Sequence, residues 1–286
     1  MHPEIQQFKD WLACQYPTSS TRLHYSSDLV LFFGWAMKSP AEINVNVVDD
    51  FIAHCQQTGH APATINRRLA ALNTFYYFLA TTEDNPPTNP VIPRRHFLPK
   101  THPLPRDVRD DEMEILFSKL ENPRERAIFC LMLDCGLRVG EIHNLSLADI
   151  FLDSPPRLKV HGKGDRHRTA YVSPQAQNAL YDWLNCRPVT TDPAVFLSRR
   201  GKRLSVAGIQ FILRKICKKT GQKLTCHQFR HTFGRRMAEA GMSVTTLQTL
   251  LGHESLRTTQ GYVHLSDLHL RAEYERAMNS VLEVLV

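Results

Sequence analysis

Apolar residues recur at intervals of three and four along the first 84 residues, the spacing of amphipathic helices. The clearest example follows Pro62, which suits a first helical turn, and continues through Ile65, Leu69 and Leu72. The same spacing predicts earlier helices around residues 5–12, 21–37 and 47–57. We therefore predict a small all-helical domain over residues 1–84.

Proline interrupts this pattern between Asn85 and Pro105, where seven prolines occur. Proline lacks a backbone N–H and obstructs the preceding helical turn, so this density predicts a stiff, extended connector without a helix. We assign residues 85–108 to a basic linker and residues 109–286 to a second domain.

The second domain combines two periodicities. The spacing of its apolar residues predicts helices at 110–120, 124–135, 137–145, 174–186 and 205–219, and two more within 224–264. Residues 158–160 and 169–172 instead indicate two strands joined by a glycine-containing turn at 162–165. The predicted fold is mainly α with a small β-sheet: a helical N-terminal domain followed by an α+β domain.

Composition narrows the class of protein. The chain has 286 residues, of which 42% are hydrophobic, enough for two cores. No segment approaches the roughly twenty apolar residues of a membrane span, and no signal-like start is present, so we expect a cytoplasmic protein. Seven cysteines without a C-x-x-C pair predict reduced thiols and no structural zinc.

Charge is distributed unevenly along the chain, whose formal net charge is +7. Residues 1–84 carry 5 basic and 8 acidic residues, residues 85–108 carry 4 and 1, and residues 109–286 carry 26 and 19. This excess of positive charge in the linker and second domain favours a polyanionic partner such as nucleic acid.

Candidate chemistry is concentrated in residues 224–264. His227 and Arg230 are three residues apart on a predicted helix, so both side chains would face one cleft. A guanidinium suits the non-bridging oxygens of a phosphate, and a histidine can transfer a proton near neutral pH. The expected target is a phosphate ester. Tyr262, beside Gly261, would have the freedom to approach it.

Further candidates are ambiguous from the residues alone. Glu141 could orient Arg138, or the two could form an ordinary surface pair. Lys163 lies on the predicted turn, where a lysine is generally solvated, and Arg67 could belong to a solvated helix face. We find no Walker loop, dinucleotide fingerprint or carboxylate cluster for two metals, so we expect chemistry without a cofactor, metal or ATP.

The combined motifs resemble those of the tyrosine recombinases, the lambda-integrase-like family, and its compact Xer-type or transposon and plasmid members in particular. The resemblance rests on G-L-R-x-G-E at residues 136–141, G-K-G at 162–164, H-x-x-R-H at 227–231, L-G-H at 251–253 and Tyr262. A small departure is Cys226, where proline is common. The family's fold is a helical, SAM-like core-binding domain followed by a catalytic domain.

The resemblance implies a role for each motif residue. Tyr262 would be the nucleophile, Lys163 the general acid and His227 a base. The implied catalytic residues are Arg138, Lys163, His227, Arg230, His253 and Tyr262, with Glu141 and His231 in support. Candidate DNA contacts, from basic character and position, are Thr64, Arg67, Arg68, Arg94, Arg95, Arg166 and Arg168.

The implied activity is site-specific DNA recombination through a covalent 3′-phosphotyrosyl intermediate and a Holliday junction. It would take place in a homotetramer on double-stranded DNA, two subunits per site. Residues 271–286 would dock on a neighbouring subunit or on their own domain. Two alternatives are nicking and closing like that of a type IB topoisomerase, and DNA binding without catalysis on the same scaffold.

Overall fold

The computed structural model describes residues 3–15, 21–99, 106–162, 167–252 and 278. The chain divides into two units, Met1–Pro103 and Leu104–Val286, and each has its own hydrophobic core. None of the described helices combines the length and apolar character needed to cross a membrane.

Helices build the first unit, as predicted. They are α1 (Pro3–Gln15), α2 (Thr21–Ala36), α3 (Val45–Gln57) and α4 (Pro62–Thr82), with a short 3-10 turn at Pro40–Glu42. Their apolar faces meet in an aromatic core in which Phe8 and Phe33 both pack edge-on against Phe75. The side chain of Asn44 accepts a hydrogen bond from the backbone of Val47 and so caps the start of α3.

The proline-rich stretch contains a helix, α5 (Pro93–His96), so the prediction of a purely extended connector is wrong there. Pro93 occupies the first helical position, where a missing N–H breaks no hydrogen bond. Val91 is buried in the first core, and the Asn66 side chain pairs with both backbone groups of Leu98. The first unit therefore extends at least to Leu98.

The second unit contains seven described helices and a three-stranded sheet. The helices are α6 (Asp110–Ser118), α7 (Pro123–Asp134), α8 (Val139–Asn144), α9 (Pro174–Cys186), α10 (Val206–Thr220), α11 (Cys226–Glu239) and α12 (Val244–Leu251). The strands are β1 (Ile150–Phe151), β2 (Arg157–His161) and β3 (His167–Tyr171). The mainly α fold with a small sheet is confirmed; β1 was not predicted.

The sheet is antiparallel in the order β1-β2-β3. Leu158 pairs with Ala170 and Val160 with Arg168. Leu158, Val160 and Ala170 are buried in the core of the second unit. Because directly opposed residues share a face of a sheet, Arg168 belongs to the core-facing side.

Glycine lets α11 approach the turn between α7 and α8. Gly136 has φ +64°, and a Cβ atom there would lie 2.5 Å from the Phe233 ring. Any larger residue would force the two elements apart. This close approach brings the carbonyl of Gly136, just before α8, against Arg230 of α11.

Candidate active site

One buried carboxylate, that of Glu141, organises the site. It caps the start of α8 by accepting a hydrogen bond from the backbone N–H of Arg138 (2.7 Å). Its oxygens also accept from the guanidinium groups of Arg138 and Arg168, both at 2.9 Å, and an Arg230 nitrogen lies 3.6 Å away. Three guanidiniums around one carboxylate leave a net positive site suited to an anion.

The C-terminal end of α12 completes this cluster. Three successive carbonyls there each accept from a different arginine: Leu250 from Arg168, Leu251 from Arg230 and Gly252 from Arg138. Carbonyls at a helix end lack intrahelical partners, so the guanidiniums satisfy them and fix the end of the helix. Gly252 adopts φ +62° and ends α12 immediately before position 253.

Arg138 and Arg230, two of the implied catalytic residues, differ in exposure. The Arg138 side chain is 42% exposed, whereas that of Arg230 is only 2% exposed. Arg230 donates to the carbonyls of Gly136 (2.6 Å) and Leu251. In this state Arg138 is therefore the more open to an incoming anion, and Arg230 ties the turn before α8 to the end of α12.

His227 lies on the exposed side of α11, close enough to the arginine cluster to be affected by its charge. Desolvation by the surrounding protein lowers the pKa of His227 below its usual value, and the charges of Arg230, His231 and Arg138 lower it further. The sequence predicted that His227 and Arg230 face one cleft; in the structure His227 is exposed and Arg230 is buried, although the charge of Arg230 still acts on the imidazole. A lowered pKa favours the neutral imidazole, the form that accepts a proton.

Sequence reasoning missed the partner of His231. The Nδ1 atom of this histidine lies 2.6 Å from Oδ1 of Asp107, while Nε of Arg235 lies 2.6 Å from the other oxygen of Asp107. The backbone N–H of Val108 donates to the Thr232 hydroxyl at 2.9 Å. Asp107 was counted within the linker, and nothing local in the sequence indicated a partner 124 residues away.

Comparison with known proteins agrees with this geometry. The phage integrase family profile matches residues 106–269, and the profile of the phage integrase N-terminal SAM-like domain matches residues 5–83. The chain belongs to the phage integrase family. The first profile includes all the described residues of the arginine cluster, and the second covers α1 to α4.

Two relatives illustrate how much of the chain this family membership covers. The chain is 32% identical to tyrosine recombinase XerC of Caldanaerobacter subterraneus subsp. tengcongensis, over 94% of this chain and 85% of that protein. It is also 32% identical to tyrosine recombinase XerD of Lacticaseibacillus casei, over 96% and 98%. The similarity therefore extends across both units.

Solved structures of the family share the fold. The crystal structure of XerA recombinase matches with 26% identity and a TM-score of 0.53, over 96% of this chain and 98% of that one. XerH bound to palindromic difH substrate, in a post-cleavage complex, matches with 20% identity and a TM-score of 0.74, over 88% and 78%.

Several predicted DNA contacts in the first unit are engaged in ion pairs. Arg67 contacts the buried Asp28 at 2.5 Å, and Arg68, with a side chain 9% exposed, lies between Asp28 and the Cys55 sulfur. Arg95 pairs with Asp49 at 2.6 Å. Thr64 is partly buried in the first turn of α4, and Arg94 is exposed.

Other predictions fall outside the described residues. These are Lys163, Arg166, His253, Tyr262 and all of 271–286 except Met278. Among the described candidates, the structure brings Arg138, Glu141, Arg168, Arg230 and His227 into one region of the second unit.

Proposed function

We propose that this chain is a site-specific DNA recombinase that cuts and rejoins DNA through Tyr262. The observation that carries the proposal is the convergence of Arg138, Arg168 and Arg230 on Glu141 and on the carbonyls of residues 250–252. A positive site held this firmly is preorganised for the extra negative charge that a phosphodiester gains in its transition state.

Cleavage would proceed by attack of the Tyr262 phenol oxygen on phosphorus. A bond from phosphorus to that oxygen forms as the bond to the 5′ oxygen breaks, which leaves the 3′ phosphate on the tyrosine. The phenol proton passes to His227, whose lowered pKa keeps it neutral and able to accept. Lys163 supplies a proton to the departing 5′ oxygen, so the released strand ends in a hydroxyl.

The arginines and His253 would hold the scissile phosphate. Arg138, the more exposed guanidinium, binds one non-bridging oxygen directly. Arg230 binds the other in the DNA-bound state, where a phosphate oxygen replaces a carbonyl as its hydrogen-bond acceptor. His253 follows the end of α12 and adds a third hydrogen bond. Glu141 and His231 orient Arg138 and α11 rather than touching DNA.

Rejoining would use the reverse reaction. The phosphotyrosyl bond retains the energy of the phosphodiester, so a 5′ hydroxyl from another strand attacks it and expels Tyr262 without ATP. Exchange of two strands and then of the other two passes through a Holliday junction. This scheme requires four subunits, two on each duplex site. The protein would act on cytoplasmic DNA such as a chromosome, plasmid or mobile element.

The test is covalent trapping on a DNA duplex nicked near the cleavage point. Site DNA is obtained by selecting random duplexes that bind Tyr262→Phe. Wild type is expected to form a protein–DNA band on a denaturing gel, Tyr262→Phe none, and Tyr181→Phe a normal band, because Tyr181 is an exposed tyrosine on α9.

Other outcomes would contradict the proposal in distinct ways. A band that persists in Tyr262→Phe moves the nucleophile elsewhere. Absence of a band with wild type on DNA that it binds supports a non-catalytic DNA-binding protein. Relaxation of a supercoiled plasmid without exchange between two sites, in the presence of a normal band, supports the topoisomerase reaction instead.

A further inference from the structure

Arg168 was predicted to contact DNA, but its position on β3 turns it toward the protein. It lies opposite Val160, and its second neighbour along the strand is the buried Ala170. Alternate residues of a strand share a face, so the Arg168 side chain begins on the core side of the sheet. Only 12% of that side chain is exposed.

Both terminal nitrogens of Arg168 have partners in other elements. One nitrogen donates to Glu141 Oε2 at 2.9 Å, and the other donates to the carbonyl of Leu250 at 2.6 Å. The stem of the side chain lies against Gly252, where a Cβ atom would be 2.9 Å from Arg168 Cδ. One side chain thus joins β3, the start of α8 and the end of α12.

These contacts disfavour a direct role in DNA binding. To reach a phosphate, Arg168 would have to leave Glu141, which is buried, and the carbonyl of Leu250. Buried acceptors that lose their donors raise the free energy of that state. Arg138 is far more exposed on the same carboxylate and needs no such rearrangement. The role proposed for Arg230 exchanges only one of its two carbonyl acceptors, whereas Arg168 would have to give up both of its acceptors.

We infer that Arg168 is a positioning residue for DNA cleavage, which holds the β2–β3 hairpin against the carboxylate that orients Arg138 and Arg230. In the sequence, Lys163 lies between the end of β2 at His161 and the start of β3 at His167. The inference rests on the proposed function, in which Lys163 protonates the 5′ oxygen while the arginines hold the same phosphate. Arg168 therefore links β3, the strand that follows Lys163 in the sequence, to the carboxylate that orients the arginines.

The first measurement compares Arg168→Met with Arg157→Met. Arg157 belongs to the same sheet, but among the described residues its guanidinium contacts the Phe151 ring and the Pro155 carbonyl and no carboxylate. We expect Arg168→Met to slow single-turnover formation of the covalent complex about 100-fold, the scale of a 1 Å misplacement. Its DNA affinity and the salt dependence of binding should stay unchanged, and Arg157→Met should cleave normally.

A substrate with sulfur in place of the bridging 5′ oxygen identifies which group is misplaced. A thiolate leaves without being protonated, so this substrate does not need the general acid. We expect it to remove most of the defect of Arg168→Met. An equal defect on the oxygen and sulfur substrates would overturn the link between Arg168 and the Lys163 hairpin.

A second variant distinguishes the loss of the Arg168 contacts from misfolding of the protein. Arg168→Lys keeps the charge, but an ammonium lacks the planar fork that spans Glu141 and the Leu250 carbonyl together. We expect it to fold with the wild-type circular dichroism spectrum and to show the same substrate-dependent defect, smaller in size. Normal cleavage by this variant and by Arg168→Met would overturn the inference.

Hydrogen exchange of the DNA-free protein tests the contact independently of cleavage. In Arg168→Met, we expect faster amide exchange in β3 and at the end of α12 and unchanged exchange in α9. This result would support the positioning contact even if wild type formed no covalent complex and the proposed function failed. Unchanged exchange in β3 and α12, or a salt dependence of DNA binding reduced by about one unit of slope, would overturn it.

Discussion

At the scale of single residues, Glu141 is the most consequential side chain of the described site. It is buried, and it offers its two oxygens to a backbone N–H and to three guanidiniums. A buried ion cluster of this kind adds little net stability over an apolar core, but removing one partner leaves the others uncompensated. Glu141 therefore matters for both folding and the geometry of the arginines.

Glu141→Gln is expected to destabilise the second unit by about 3 kcal/mol, because the three guanidiniums would lose their shared counter-charge. Unfolding in urea can be followed through Trp183, which is buried in the second unit, after Trp11 and Trp35 are replaced by phenylalanine. The control is Asp111→Asn, which alters an exposed carboxylate paired with Arg109. Equal stability of the two variants would contradict this reading of Glu141.

His227 is the residue whose protonation should report on the site. Its pKa is lowered from the ordinary 6.5 by desolvation and by nearby positive charge. In the DNA-free protein, an NMR titration of the ring should therefore give a midpoint below 6.5. Its signal can be assigned by its loss in His227→Gln. A midpoint at or above that value would contradict the assigned environment.

The lowered pKa of His227 also determines how this residue changes folding stability with pH. A histidine with a lower pKa in the folded state binds more protons when unfolded. Its contribution therefore favours folding less as pH falls through the ordinary histidine value.

At the scale of elements, the segment before α6 is attached to α11, the helix that carries His227 and Arg230. Asp107 bridges His231 and Arg235, Val108 binds the Thr232 hydroxyl, and Asp110 contacts Arg236. Thr232 is fully buried. These contacts hold α11 along one side, whereas Glu141 and the end of α12 hold Arg230 on the other.

Asp107→Asn should lower the free energy of unfolding by about 1.5 kcal/mol, because it weakens the contacts of this side chain with both His231 and Arg235. The measurement is again urea unfolding reported by Trp183. Asp110→Asn is the matched control, because its carboxylate is exposed beside Arg236 and exposed pairs contribute roughly 0–1 kcal/mol. A larger effect for Asp110→Asn than for Asp107→Asn would refute the importance of the Asp107 contacts.

At the scale of the whole molecule, each of the two units has its own main hydrophobic core. The first unit contains all of α1 to α5, and the second contains the arginine cluster and the sheet. Negative charge prevails over residues 1–84 and positive charge over residues 109–286. Electrostatic attraction to DNA should therefore come mainly from the second unit.

Residues 104–286 alone should fold cooperatively and retain salt-dependent DNA binding, because their core and positive charge lie within that segment. Urea unfolding through Trp183 tests the first expectation, and binding at two salt concentrations tests the second. As a control, Ile128→Asp in the fragment should prevent folding, since Ile128 is fully buried in this core. If this fragment bound DNA no better than residues 1–103, the expectation that the second unit supplies most of the attraction to DNA would be wrong.

Local chemistry explains why so much of the fold was predictable. Helices α1 to α4, α6, α7, α9 and α10 follow from apolar spacing, and Pro62 begins its helix as expected. The motif residues were close enough to a family pattern to predict the SAM-like and catalytic domains. Their assigned roles at Lys163, His253 and Tyr262 stay predictions.

Other features depend on residues that are distant in sequence. A helix forms at Pro93–His96 because neighbouring apolar residues pack on the first core and Arg95 pairs with Asp49 of α3. Arg68 is basic yet sits beside Asp28, and the pair of Asp107 with His231 spans 124 residues. A basic residue carries no local sign of whether it meets a carboxylate or solvent, because that is decided by chain segments folding together.

The sequence by itself determined the described helices other than α5, the strands β2 and β3, and the set of residue types able to bind a phosphate, because these depend on short-range spacing and side-chain chemistry. Only the tertiary structure decided that Arg138, Arg168 and Arg230 share one carboxylate and three successive carbonyls. The direction in which each guanidinium points depends on strand register, helix ends and burial, which are properties of the folded chain.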